Sequence, residues 1–248
     1  MNTGLTLVIP NADFSANSVG NSIFPSFANL KQALFYGNAI PDLSALKKAK
    51  GVNKSALGTA VVKDYAIKIA NGDSFADVIA KLPNSNCTIA LVLSRGEGAT
   101  GGSVVGVAKS GAGAASAAGD IAFNIWDDGN TTLQLSLPNV ITAATSRVTV
   151  SGQSPYFIAI GTFNSVSGEV TLTVANALGI KSSTQIATGL QANGSLYNTD
   201  TPFKFSPQST NGMNFSAISV FDKALSADEV KELVDYYKEF YKDAPAPV

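Results

Sequence analysis

Residues 126–130, with the sequence W-D-D-G-N, hold the densest group of side chains that could bind a ligand. The Trp126 ring could stack on a sugar, while the neighbouring oxygens hold sugar hydroxyls or a calcium ion. The same residue types also suit a tight hairpin turn, in which Asp, Gly and Asn serve the backbone geometry, and this is the favoured interpretation. The candidate ligand-binding residues are Trp126, Asp127, Asp128 and Asn130.

Catalytic constellations are missing from the sequence. Histidine is absent, which excludes Ser-His-Asp and Cys-His triads and every imidazole metal site. Glycoside hydrolysis needs two carboxyl groups about 5 to 9 Å apart. Glu169 stands alone on its predicted strand, and Glu229 and Glu232 fall on a predicted helix. We therefore expect a protein that is not an enzyme.

Composition narrows the range of partners and cofactors. The net charge is -1, which provides no electrostatic basis for binding nucleic acid or an anionic membrane. Cys87 is the only cysteine, so neither an internal disulfide nor a Cys-rich zinc site can form, and its apolar surroundings predict a buried thiol. No cofactor is predicted apart from the calcium ion considered above.

The chain also lacks the sequence features of export and membrane insertion. The first ten residues have no basic region, and their apolar stretch is too short for a signal peptide. No apolar run approaches the length that spans a bilayer. We expect synthesis in a cytoplasm without a classical export signal.

A strand followed by a capped helix is the best-defined element. Residues 215–221 are rich in β-branched and aromatic residues, which predicts a strand. Ser226 and Glu229 have the S-x-x-E spacing of a capping box, in which each side chain accepts a hydrogen bond from the other residue's backbone amide. Leu225 and Val230 stand where a hydrophobic staple would form.

The predicted helix has one apolar face and one charged face. Apolar residues recur at helical spacing at Val230, Leu233, Val234, Tyr237, Phe240 and Tyr241. Tyr236 falls off this face, and we expect it to be exposed. The aromatic residues of this region, including Phe215 and Phe221, could line a ligand groove, but packing of the helix onto a sheet explains them better.

The rest of the chain reads mainly as short strands. Further strands are predicted at residues 5–9, 61–69, 87–94, 104–108, 148–150 and 202–206. Residues 30–36 fit a strand or a short helix, and residues 74–82 a short helix. Hairpins are predicted over residues 121–137, turning at Asp128-Gly129, and over 155–162 with 169–174. Residues 177–198 alternate only weakly, and residues 111–119 form a small-residue loop.

Three stretches resemble known families. "ISVFDKALSADEV" resembles the closing motif of laminin-G-like, concanavalin A-like jelly rolls. "YFIAIGTFNSVSGEVTLTVAN" resembles their core hairpin, although Pro155-Tyr156 stands where that family usually has Trp-His. "IPNADFSANSVG" resembles the N-terminal signature of tailed-bacteriophage virion proteins that carry such a domain. The helix predicted at residues 74–82, just before a core strand, resembles those proteins as well.

This resemblance implies an all-β fold, a concanavalin A-like (laminin-G-like) jelly-roll sandwich of two antiparallel sheets with one C-terminal amphipathic helix. Residues 1–29 would be an N-terminal strand or arm that mediates assembly, and residues 30–243 the jelly-roll domain. Residues 244–248 would be a Pro/Ala tail with no reason to pack.

The resemblance also implies a function. The protein would be a non-enzymatic structural protein of a virion, made in the host bacterial cytoplasm, in the tail, a fibre or the capsid decoration. It would contact other virion proteins and further copies of itself through the N-terminal segment, the Gly/Ala loop and the helix face. The alternative is a lectin-like adhesin that binds surface glycans through the sandwich loops. Concanavalin A-like glucanases carry an E-x-D-x-E strand, which this sequence lacks.

Overall fold

The structure is a computed structural model that describes residues 27–36, 61–62, 64–69, 86–95, 102–106, 124–127, 132–136, 145–149, 156–164, 166–186, 213–242 and 244. Within these ranges lie twelve strands, one α-helix and a short 3-10 turn at Phe27–Asn29. The strands are β1 (Leu30–Phe35), β2 (Val61–Val62), β3 (Ile67–Ile69), β4 (Cys87–Arg95), β5 (Gly102–Gly106), β6 (Asn124–Asp127), β7 (Thr132–Ser136), β8 (Thr145–Thr149), β9 (Tyr156–Phe163), β10 (Glu169–Asn176), β11 (Gly179–Ile186) and β12 (Met213–Phe221). The helix α1 spans Ala227–Phe240.

The strands form two antiparallel sheets. The larger sheet has the order β11-β10-β9-β4-β12-β3-β2, with β1 also paired to β12. The smaller sheet has the order β5-β6-β7-β8, and its strands β7 and β8 lie against β10 and β11 of the larger one. These two sheets and the single C-terminal helix confirm the predicted fold class. No helix in the described ranges is long and apolar enough to cross a membrane.

Strand β12 lies at the centre of the larger sheet. One of its edges pairs with β4, and the other is shared between β3 and β1. A bulge at Ser216 separates the two halves of this ladder, and bulges usually leave backbone groups unpaired. Here the Ser216 carbonyl accepts hydrogen bonds from the Tyr36 amide at 2.9 Å and from the Tyr241 hydroxyl at 2.6 Å.

Both faces of the central strands are buried. Alternate residues of β12 and β4, such as Ala217 and Ala90, pack with the helix in one apolar cluster. The residues between them, such as Ile218 and Leu91, are also fully buried, on the opposite face. Strand β4 therefore has no exposed face from Cys87 to Ser94, which agrees with its uninterrupted apolar sequence.

The helix begins as predicted. The Glu229 amide donates to the Ser226 hydroxyl at 3.3 Å, and the Ser226 amide donates to the Glu229 carboxylate at 2.8 Å. Leu225 and Val230, the predicted staple, are both buried in the cluster that joins the helix to the sheet. The cap, the staple and the apolar face together fix where the chain turns from β12 into the helix.

The apolar face of α1 packs on the sheet around Tyr237. This side chain is completely buried, and its hydroxyl lies 2.5 Å from the Ser219 hydroxyl of β12. Burial raises the pKa of Tyr237 far above its ordinary value, so the hydroxyl stays neutral. Tyr236, expected to be exposed, is instead half-buried, with its ring edge-on to Phe35 at 6.4 Å. The prediction was wrong because β1 flanks the helix on that side.

Several strand boundaries differ from the sequence prediction. The segment expected as one strand over residues 61–69 is a small hairpin, because the chain bends at Asp64 and Tyr65 and β3 folds back on β2. Strand β5 begins two residues earlier than predicted and ends at Gly106. Residues 30–36, which fitted a strand or a helix, form β1.

Two other features differ from what the sequence indicated. Residues 179–186 form a regular strand, β11, in a region that showed only weak alternation. Ala244, the first residue of the tail expected not to pack, is buried beside the helix, and its amide donates to the Tyr241 carbonyl at 3.0 Å. The elements predicted at residues 5–9, 74–82, 111–119 and 202–206, and most of the arm at 1–29, lie outside the described residues.

Removing the cap should destabilise the fold. We expect Ser226→Ala to lower the free energy of unfolding by about 1 kcal/mol, because the Glu229 amide loses its acceptor. Ser226→Asp keeps an acceptor at the same position and should retain most of the stability. Urea denaturation of the three proteins measures the difference, and equal midpoints for all three would contradict a stabilising cap.

The cap also predicts a dependence on pH. Burial opposes ionisation of Glu229, but hydrogen bonds from Lys223 and Ser226 outweigh it and hold its pKa below the ordinary value of 4.5. The resulting stability is present above pH 4.5 and is lost as the pH falls through the lower folded-state pKa. Glu229→Gln should therefore flatten this acid-side decline in a urea titration repeated at several pH values, and an unchanged slope would refute the assignment.

The Tyr237–Ser219 contact can be isolated with a double-mutant cycle. Tyr237→Phe and Ser219→Ala each leave one buried hydroxyl without this partner, and each should lower the free energy of unfolding by about 1 to 3 kcal/mol. The double variant should lose less than the sum, by roughly 1 kcal/mol, because neither hydroxyl then remains. Additive losses would show that the two hydroxyls are not coupled.

Candidate functional site

Two of the four candidate ligand-binding residues lie on the described part of the smaller sheet. Trp126 and Asp127 are the last two residues of β6, which is paired on both sides. Trp126 is in register with Ser103 of β5 and Gln134 of β7. Trp126 and Asp127, which the sequence analysis assigned to a turn, therefore belong to an inner strand of the sheet.

The other two candidates, Asp128 and Asn130, lie outside the described residues. Strands β6 and β7 pair antiparallel with Asp127 opposite Leu133, which confirms a hairpin whose connection includes both candidates. Trp126 and Asp127 thus lie at the end of β6, next to the connection that contains Asp128 and Asn130. Ligand binding by these four residues stays a prediction.

The described carboxylates mostly serve structural contacts. Asp222 pairs with Lys31 at 2.5 Å and links the end of β12 to β1. Glu229 pairs with Lys223 at 2.6 Å and closes the helix cap. Glu169 accepts a hydrogen bond from the Ser167 hydroxyl at 2.9 Å within an exposed turn. Among the described residues, no group of three His, Cys, Asp or Glu side chains is placed to hold a metal ion.

A row of threonines crosses the larger sheet, and sequence analysis missed it. The pairing registers place Thr88 of β4, Thr162 of β9, Thr171 of β10 and Thr184 of β11 side by side across four strands. The row runs from the core outward, since Thr88 is fully buried and Thr184 is exposed. The signal in the sequence was the recurrence of Thr within strands, but only the register aligns these residues.

The buried end of the row fixes the turn before the helix. The Thr88 hydroxyl donates to the Lys223 carbonyl at 2.8 Å and accepts from the Leu225 amide at 3.0 Å. One hydroxyl thereby satisfies two backbone groups of the segment that connects β12 to α1. This contact lies in the core and cannot reach a ligand.

The outer end of the row forms a hydroxyl-lined surface on β10 and β11. The Thr171 and Thr184 hydroxyls are 2.8 Å apart, and so are those of Thr173 and Ser182. Strand β11 is exposed along almost its whole length, with Ser183 alone half-buried. This part of the sheet therefore presents hydroxyl groups to solvent on regular structure.

The aromatic residues near the helix belong to the core and form no groove. Phe35 packs against Phe240 with ring centroids 4.8 Å apart, and Phe240 packs against Tyr241 at 4.9 Å. Tyr156 and Tyr65 lie against the same cluster. The packing interpretation is confirmed for Phe221 of β12 and for the aromatic residues of α1 and its C-cap, whereas Phe215 is buried outside this cluster.

Comparison with known proteins gives distant structural likenesses. No protein-family model and no curated protein matches the chain. The CBM40 module of the Ruminococcus gnavus IT-sialidase, bound to α2,3-sialyllactose, aligns over 69% of this chain and 97% of its own, with 15% identity and a TM-score of 0.49. The enzymatically active domain of bacteriophage CBA120 tailspike protein 2 aligns over 69% of this chain and 27% of its own, with 14% identity and a TM-score of 0.45. Trypanosoma rangeli sialidase, in complex with the inhibitor DANA, aligns over 72% and 28%, with 12% identity and a TM-score of 0.48. Likenesses this distant assign no function.

Proposed function

We propose that this protein is a non-enzymatic structural component of a tailed-bacteriophage virion, a tail or fibre component or a capsid decoration. It acts through contacts with other virion proteins and with further copies of itself. The proposal combines two sequence resemblances, to laminin-G-like jelly rolls and to the N-terminal signature of phage virion proteins, with one structural observation.

That observation is the construction of the closing motif. Its residues form the central strand β12, a turn held by the Asp222–Lys31 pair, and a helix capped by Ser226 and Glu229. Phe221 and Leu225 of the motif are buried in the cluster beneath the helix. The motif is thus the structural centre of a two-sheet sandwich, which supports the laminin-G-like interpretation over a chance match.

The use of the carboxylates supports a role without catalysis. Hydrolysis of a glycosidic bond needs a pair of carboxyl groups facing one substrate site. In the described residues, Asp222 and Glu229 are engaged in ion pairs, and Glu169 is held by a neighbouring serine. The charged residues of α1 lie on its outer face, where Lys231 and Asp235 pair at 2.7 Å in solvent.

The first test is the content of purified particles. Quantitative mass spectrometry of gradient-purified virions should find this chain at a fixed copy number per particle. Particles treated with high salt distinguish an integral component from an adsorbed one, since exposed charge contacts weaken as salt rises. Absence of the chain from washed particles would overturn the proposed function.

A lectin-like adhesin is the second candidate, and the position of Trp126 and Asp127 favours it. These residues end strand β6 at a hairpin connection, and loops at one end of a sandwich are common binding sites. If glycan recognition is the role, Trp126→Ala should abolish binding on a glycan array by removing the stacking ring, and Trp126→Phe should retain part of it.

Removing calcium distinguishes binding through a calcium ion from binding through stacking on the Trp126 ring. Calcium chelation should weaken glycan binding if the neighbouring oxygens hold an ion, and should change nothing if stacking alone operates. Sugar release that Glu169→Gln abolishes would instead support hydrolysis and contradict both proposals. No binding by the wild-type protein would remove the adhesin alternative and leave the virion role intact.

A further inference from the structure

Strand β11 is an outer strand without the features that usually block pairing. Within the described residues it lies at the end of the larger sheet, and all eight of its residues pair with β10 in one unbroken register. It contains no proline and no bulge, and Lys181 is its only charge. Natural edge strands are usually shortened, bulged or charged, because their free backbone groups otherwise recruit another strand.

Apolar exposure is concentrated on the same strand. Among the described residues, four large hydrophobic side chains are exposed, and three of them lie on β11 or in the turn before it: Leu178 at 71%, Ile180 at 44% and Ile186 at 54%. Ile180 and Ile186 fall on the same face, since they are six residues apart on a strand. A regular edge with exposed apolar positions and a single charge is able to recruit another strand.

The hairpin between β10 and β11 determines which backbone groups point outward. Asn176 and Gly179 are paired across the two-residue turn, and such a closing pair exchanges both of its backbone hydrogen bonds. By alternation, the even-numbered residues of β11 then direct their N–H and C=O groups away from β10. The short hydroxyl contacts of Thr171–Thr184 and Thr173–Ser182 agree with this phase, because side chains approach most closely at non-hydrogen-bonded pairs.

We propose that β11 pairs antiparallel with β11 of a second copy of this chain, about a two-fold axis at Ser183. This register places Ile180 opposite Ile186 of the second copy, and Ser182 opposite Thr184. All four of these positions carry outward-pointing backbone groups, so the contact gains about eight backbone hydrogen bonds across its length. Among antiparallel registers of β11 with itself, the one centred on Ser183 pairs the most residues of Ile180–Ile186.

The side chains are complementary in this register. Each exposed isoleucine lies opposite an isoleucine of the second copy. The Ser182 and Thr184 hydroxyls likewise lie opposite the Thr184 and Ser182 hydroxyls of that copy. Lys181 lies opposite Gln185 of the second copy, so no two like charges face each other. The pairing joins the larger sheets of two copies into one continuous sheet. It rests on the proposed function, in which copies of this chain assemble with one another.

A cysteine at the two-fold axis tests the register directly. In Ser183→Cys, the two introduced thiols lie at a non-hydrogen-bonded pair, about 4.5 Å apart between Cα atoms, which a disulfide can bridge. Gln185→Cys is the matched control, because the Cα atoms of its two introduced cysteines would be about 14 Å apart, too far for a disulfide. The native Cys87 is buried and does not compete. Mild oxidation should give a covalent dimer for Ser183→Cys and none for Gln185→Cys on a non-reducing gel.

A charge exchange tests the Ile180–Ile186 contact. The double variant I180K/I186K places like charges opposite each other twice and should lose the dimer in sedimentation velocity. The double variant I180E/I186K places opposite charges there and should restore it. The lysine introduced at position 186 then faces Glu169 of β10 in both variants, and the changed position, residue 180, faces the neutral Ala175. Both positions are solvent-exposed in the single copy, so thermal unfolding of the two variants should match and report intact folding.

The outcomes separate this pairing from the proposed function. A wild-type protein that is monomeric at all concentrations, or a dimer that I180K/I186K leaves intact, overturns the β11 pairing. A chain that is monomeric in isolation but has β11 protected from hydrogen exchange in particles overturns it too, because a different virion protein then covers the edge. If the dimer forms but washed virions lack the chain, the pairing stands and the virion role fails.

Discussion

The fold depends on how completely β12 is enclosed. Its edges pair with β4 on one side and with β1 and β3 on the other, and both of its faces are buried. A strand enclosed in this way must satisfy every backbone group within the protein, since an unpaired buried carbonyl costs about 1 to 3 kcal/mol. The bulge at Ser216 interrupts the pairing with β4, and the Tyr36 amide and the Tyr241 hydroxyl both donate to its carbonyl. Because Tyr241 ends the helix, the irregularity in the sheet also determines where the helix must lie.

The same coupling appears at the other end of β12. Thr88, on the neighbouring strand, bonds both the carbonyl of Lys223 and the amide of Leu225, so the sheet holds the turn that leads into the helix. The capping box then fixes the first helical turn. The helix is therefore held at its start by Thr88 and the cap, at its middle by the Tyr237–Ser219 contact, and at its end by Tyr241. Each of these contacts depends on a polar side-chain group, which the spacing of apolar residues along the chain does not predict.

Sequence reasoning succeeded where several local signals coincide. The helix combined a cap, a staple and a 3.6-residue apolar period, and β4 combined length with uninterrupted apolar character, so both were predicted nearly to the residue. Strand β11 was missed because G-I-K-S-S-T-Q-I has little apolar pattern, and the register with β10 and its hydroxyl pairs makes it a strand. Tyr236 was misplaced because the helix period describes one contact surface, whereas β1 adds a second. The candidate site was predicted only as far as its strand, since a binding site depends on which loops converge, and spacing along the chain does not determine that.

Polar side chains make different contacts near the helix and on the outer strand β11. Around the turn into the helix, polar side chains act one at a time: the buried Thr88 hydroxyl bonds two backbone groups, the half-buried Glu229 accepts from the Ser226 amide, and the half-buried Asp222 pairs with Lys31. At the outer strand the same residue types are paired only with each other, and the strand's outward backbone groups have no neighbour within the described residues. A sheet that ends in a regular, weakly charged strand offers unpaired N–H and C=O groups, with which a strand of another chain can pair. An edge of this kind can recruit a further strand, and the proposed pairing of β11 uses this property.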